Sequence, residues 1–130
     1  MIMITLPYLP PKEFSRNSRE HWSTLHRVQD RTADDVFALL REAGWEQSEP
    51  WTKAEVTLTF VLPDRRTRDA DNLITAAKPI MDALVTHQVI QDDCISCIGI
   101  PAYKYTYSRE KLAGTIIEVE EKEHDPGTDE

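Results

Sequence analysis

The chain has 130 residues, 40% hydrophobic and 29% charged, the ordinary make-up of one globular domain with a single core. No apolar run approaches the roughly 18 residues needed to span a bilayer, and the N-terminus lacks the charged start and long apolar stretch of a signal peptide, so a cytoplasmic protein is expected. A net charge of −8 weighs against a nucleic-acid partner, but residues 118–130 hold seven acids and one lysine, a net −6 that leaves only −2 on the other 117 residues, so local basic patches stay available.

Ile2, Ile4 and Leu6 alternate as in a short strand, and Pro7, Pro10 and Pro11 end it. Asn17-Ser-Arg-Glu20 reads as a capping box opening a helix. Trp22, Leu25, Val28, Ala33, Val36, Phe37 and Leu40 give that helix an apolar face, and Gly44 stops it. Lys12, Arg16, Arg19, His21, Arg27 and Arg31 lie in or just before its first turns, either as a solvated face or as an edge that contacts phosphate. His21 and His26 are five apart, the wrong spacing to share a helical face as metal ligands. Trp45 and Trp51 flank a loop and are expected in or over the core.

The next stretch organises the chain. Val56, Leu58, Phe60 and Leu62 fall on one face of a strand, with Thr57 and Thr59 on the other. Pro63 ends it, and Arg65, Arg66 and Arg68 follow, then Asp69 and Asp71. Read as extended chain, the two aspartates point to one side about 6–7 Å apart. Paired carboxylates suit a hard cation such as Mg²⁺, which takes one or two carboxylates and keeps several waters. Arginines suit phosphate, which they can hold in a bidentate fashion. The combination points to metal-assisted phosphodiester chemistry, although acids before a helix also act as caps and favour its dipole.

Leu73, Ala76, Ala77, Ile80 and Leu84 then recur at helical spacing, predicting a helix from about Asn72 to His87. Pro79 either kinks it or begins a new helix with Lys78 in the break. Cys94-Ile-Ser-Cys-Ile-Gly-Ile100 reads as a strand, with Asp93 at its start where it can approach the Asp69–Asp71 edge. On a strand the two cysteines would face opposite sides, and with no second pair for zinc they are read as ordinary reduced thiols. Tyr103–Tyr107 and Thr115–Val119 flank a polar hairpin, which makes residues 1–119 the domain and 120–130 an acidic, disordered tail. The predicted fold is α+β, a mixed sheet of four or five strands with two main helices.

The string D-R-R-T-R-D-A-D-N-L at 64–73, followed by A-A-K-P-I-M-D-A-L and V-I-Q-D-D, resembles the RusA family of Holliday junction resolvases. The likeness extends to the opening strand with its proline turn and to the closing strands. It implies a RusA-like homodimer that uses Mg²⁺ to cut two opposed strands of a four-way DNA junction. By motif position it implies Asp69, Asp71 and Asp93 as metal-binding catalytic residues and Lys78 as the essential lysine. In the family pattern that lysine follows the second aspartate by four residues; here the gap is seven. Arg65, Arg66 and Arg68 would bind DNA phosphates, and so would Arg16, Asn17 and Arg19, because the family's N-terminal loop faces DNA. Two alternatives stay open: a nuclease for other branched or single-stranded DNA, and a non-catalytic DNA-binding module of the same fold.

Overall fold

A computed structural model of the chain describes residues 1–16, 18–46 and 48–124. Four strands form one sheet in the order β1-β4-β2-β3. They are β1 (Ile2–Leu6), β2 (Ala54–Leu62), β3 (Ala102–Tyr107) and β4 (Gly114–Glu121). β4 runs antiparallel to both β1 and β2, while β3 joins the edge of β2 in parallel. The architecture is therefore α+β with a mixed sheet, as the residue pattern predicts.

Alternation in β2 sets which face is covered. Ala54, Val56, Leu58, Phe60 and Leu62 are all buried, whereas Glu55 is exposed and Thr57 and Thr59 are half-buried. Against the buried face lie α1 (Trp22–Glu42) and α3 (Lys78–Thr86), which also pack on each other. Val36, Leu40, Ile80 and Leu84 meet the strand residues in one core. Leu58 is 0% exposed, so Leu58→Ala removes a full side chain from a packed site. It is expected to lower the unfolding free energy by roughly 2.5–5 kcal/mol, measured by urea titration. A loss below about 1 kcal/mol would mean that β2 is not the centre of the core.

The predicted second helix is two helices. α2 (Ala70–Ala76) ends at Ala77, which also caps α3, so Pro79 sits in the first turn of α3, where its missing N–H costs nothing. Helix α1 stops as expected, with Gly44 at φ +86° just past the C-cap.

Four expectations are corrected. Helix α1 begins at Trp22, with the His21 ring accepting from the Ser23 N–H, so the Asn17–Glu20 box does not open it. Trp22 is 72% exposed rather than core, because the buried stripe is Thr32, Val36 and Leu40. Cys94–Ile100 is not a strand. Ile95–Ile98 form a short helix, α4, that ends at Gly99 with φ +64°, and the strand starts only at Ala102. The two cysteines are free thiols, Cys94 exposed and Cys97 buried. Finally, β4 continues through Glu121, pairing Glu120 with Glu55 and Glu121 with Ala54, so the domain extends past residue 119. Backbone pairing tolerates the acidic side chains there because Lys122 lies 3.8 Å from Glu55 and 3.7 Å from Glu120. Residues 125–130 of the predicted tail lie outside the described residues. Among the described residues, no helix is long and apolar enough to cross a membrane.

Candidate functional site

Asp69 is the N-cap of α2, its Oδ1 accepting from the Asp71 N–H at 3.0 Å. The segment is therefore not extended, as the alternation had suggested: the cap turns the chain into a helix one residue later, and Asp71 lies in the first turn. Both aspartates are exposed. Acids at this end are favoured by the helix dipole, so their placement has a structural reason of its own. What capping does not require is the cation bound to Asp71. Arg16, from the segment before α1, donates to Asp71 Oδ2 at 3.1 Å across 55 residues of sequence. The short 3₁₀ turn Lys12–Phe14 packs on α2 and brings that segment there.

The arginine loop divides into two roles. Arg68 is spent inside it, donating to the carbonyls of Asp64 and Arg66 and pairing with the Asp64 carboxylate at 3.0 Å. With a side chain only 12% exposed, it braces the turn. Backbone donation from Arg66 and the arginine beside it hold the Asp64 carboxyl below the usual carboxylate range. Arg65 and Arg66 project outward, and the Arg65 guanidinium lies 4.2 Å from the centroid of the Tyr107 ring. Arg19 is exposed, and Asn17 lies outside the described residues.

Lys78 and Asp93 are brought together. The ammonium lies 3.2 Å from Asp93 Oδ2 and 2.9 Å from Asp82 Oδ1. Asp82 in turn accepts from Gln29 of α1 at 2.8 Å, so α1 and α3 jointly fix the lysine's partner. The bond to Asp82, then that to Asp93, raise the Lys78 pKa above the ordinary lysine value against a partial desolvation. Asp82→Asn keeps the volume and removes the charge. The Lys78 pKa is then expected to fall toward the ordinary range, read by NMR titration of its side chain. An unchanged titration would mean that Asp82 does not hold the lysine.

Two clefts share Ile74 and Tyr103 as a common wall. One, about 430 Å³, is lined by Thr75, Lys78, Met81 and Asp93 among others. The second, about 310 Å³, is lined by Ala70, Leu73, Arg66, Arg68, Lys104 and the β3 tyrosines. Asp93 faces the first, and Ala70, between Asp69 and Asp71, borders the second. The three aspartates are not gathered at one point: among the described residues, no three acidic, histidine or cysteine side chains lie close enough to hold one ion.

Whether the carboxylates suit a hard divalent cation turns on their donor atoms. Asp69, Asp71 and Asp93 each commit one oxygen to a neighbour and keep the other outside any bond among the described residues. Oxygen donors from two adjacent carboxylates, completed by water, match what Mg²⁺ takes. Asp69 and Asp71 form that pair, with Asp93 beside Lys78.

Sequence reasoning missed three features. Gln29 and Asp82 belong to the lysine's support, which only the packing of α1 on α3 reveals. Asn72 Oδ1 is buried without a hydrogen-bond partner among the described residues, a cost of about 1–3 kcal/mol that native scaffolds rarely accept. Its signal was its place directly after Asp71. The tyrosines of β3 were read only as strand.

No family model matches the chain. An uncharacterized protein of Xylella fastidiosa (strain Temecula1) is 31% identical over 106 residues, an alignment covering 72% of this chain and 69% of that protein. Identity sustained over that share of both chains makes them relatives, and the chain belongs to the family of that Xylella protein.

Proposed function

We propose that the protein is a Mg²⁺-dependent, structure-specific DNA endonuclease of the RusA type, resolving four-way junctions as a homodimer. The observation that carries the reading is the exposed Asp69–Asp71 pair at the start of α2, with Arg16 bound to Asp71 from across the chain and the arginine loop immediately before it in sequence, in a chain of net charge −8. Two exposed carboxylates with an arginine on one of them and a basic loop next in sequence, against the overall charge, suit a phosphodiester together with a hard cation. The motif likeness to RusA resolvases, from Asp64 through Asp93, points the same way.

In this reading Asp69 and Asp71 would hold the ion, which would supply Lewis-acid stabilisation for hydrolysis of a phosphodiester, while Asp93, the third aspartate of the motif, lines the neighbouring cleft beside Lys78. Arg65 and Arg66 bind flanking phosphates and fix orientation without reading sequence. Arg16, paired with Asp71, places a cation beside the carboxylates that a phosphate can also meet. Lys78, held by Asp82 and Asp93, presents a fixed positive charge to the scissile phosphate as negative charge develops on it. A homodimer places two such sites on opposed strands.

A panel of four-way junction, fork, flap, single strand and linear duplex, competing for binding in Ca²⁺ without cleavage, tests the substrate class. The four-way junction is expected to compete best. Preference for the fork, flap or single strand would reassign the enzyme to that substrate.

A further inference from the structure

The register of β3 on β2 pairs Tyr103 with Leu58, Tyr105 with Phe60 and Tyr107 with Leu62, so all three tyrosines point to the helix-covered face of the sheet. Because β3 is the edge strand, the cover gives out along it. Tyr103 stacks on Phe60, with centroids 6.2 Å apart and planes within 12°. Tyr105 is 68% exposed, and its ring meets Tyr107 edge-on at 5.9 Å. The Arg65 guanidinium sits over the Tyr107 ring, 4.2 Å from its centroid, and adds a cation to the aromatic wall. The cleft floor, Phe60, Leu62, Leu73 and Ile74, is apolar.

An apolar slot walled by tyrosine rings would by itself accept many things. Its rim narrows the choice. Arg65 covers the Tyr107 ring that lines the slot, and Arg66 and Lys104 line it directly, while Arg68 there is paired with Asp64, so two to three cations stand at the slot in a chain whose net charge is −8. A ligand with a flat aromatic body and an anionic link fits that combination, and an unstacked nucleotide of a DNA strand is one. Ala70 on the cleft wall lies between Asp69 and Asp71, so a base seated there leads its backbone toward those carboxylates.

We propose that the Tyr105–Tyr107–Arg65 surface is a base-stacking subsite that holds one unpaired nucleotide of single-stranded DNA. The proposal rests on DNA as the ligand but not on cleavage. Stacking tolerates any base, since each has a π-face, so the subsite recognises strand opening rather than sequence.

The test compares two oligonucleotides in EDTA by fluorescence anisotropy: a thymidine octamer and an octamer of abasic spacers with the same phosphates. The parent protein is expected to bind the thymidine strand roughly 5- to 100-fold more tightly. Tyr105→Ala combined with Tyr107→Ala should erase that difference while weak binding to the abasic strand persists, and the Tyr→Phe pair should restore it. Circular dichroism melting confirms that each variant is folded. Equal affinity of the parent for both strands, or binding to neither, overturns the proposal. So does a base preference that survives the alanine pair, or a loss of self-association in that pair, which would assign the cleft to a second copy of the chain. No cleavage is read, so a protein that cuts junctions without the base preference refutes only the subsite. One with the preference but no cutting refutes only the nuclease.

Discussion

Asp69→Asn and Asp71→Asn are each expected to lower Mg²⁺-dependent junction cleavage by about 10²–10³-fold while leaving the fold standing. The scale is that of losing an electrostatic stabiliser at a reacting phosphate. Asparagine is the informative replacement because it separates the two roles of Asp69. It caps a helix about as well as aspartate, so the bond to the Asp71 N–H survives, whereas alanine would also cost about 1 kcal/mol of helix stability. Asp71→Asn loses the exposed pair with Arg16, a contact worth no more than about 1 kcal/mol. DNA affinity should hold or rise, because a carboxylate facing phosphate repels it. Initial rates and thermal melts measure both. Near-parent activity in either variant would leave that aspartate as a cap or surface partner only.

Lys78→Ala should lower the rate by roughly 10²–10³-fold with little change in junction affinity. A cation in the first turn of α3 faces an unfavourable helix dipole, against which its i,i+4 pair with Asp82 contributes only a few tenths of a kcal/mol. Asp82 and Asp93 offset that cost and aim the ammonium into the cleft that Asp93 lines. The pKa is raised, so the ammonium's stabilising contribution is fully present below the ordinary lysine value and is lost only as pH rises through the higher folded value. An acidic limb in the pH–rate profile would therefore not come from Lys78. Parent-like cleavage by Lys78→Ala would make the lysine a surface residue. Arg68 is a poor substitute for it, being tied inside its own loop.

Where one physical signal dominated, the fold could be read from residues alone. Strict alternation placed β2 and its buried face, Gly44 ended α1, and Pro79 marked the break between α2 and α3. Where two local signals competed, the reading failed. Asp69 and Asp71 alternate as in a strand, but a side-chain bond from the Asp71 N–H to Asp69 is also open to them, and it starts a helix. The Asn17–Glu20 box and His21 are rival starts for α1, and the helix begins after His21, whose ring caps the Ser23 N–H. Cys94–Ile100 is a short apolar run, for which periodicity cannot separate strand from helix. In the site, the residue types and their motif were visible, but the partners were not. The contacts between Arg16 and Asp71 and between Lys78 and Asp93 cross 55 and 15 residues, and Gln29 reaches Asp82 across 53. Nothing in local sequence encodes those distances. Trp22 was misplaced because helical spacing shows a stripe but not how far the neighbouring elements extend to cover it.

The central claim is metal-dependent junction resolution, and a synthetic four-way junction labelled in turn on each strand tests it most directly. With Mg²⁺ the purified protein should make two symmetric nicks in opposed strands, and with EDTA none. A junction left whole in Mg²⁺, under conditions where the protein is folded and binds it, would contradict the account.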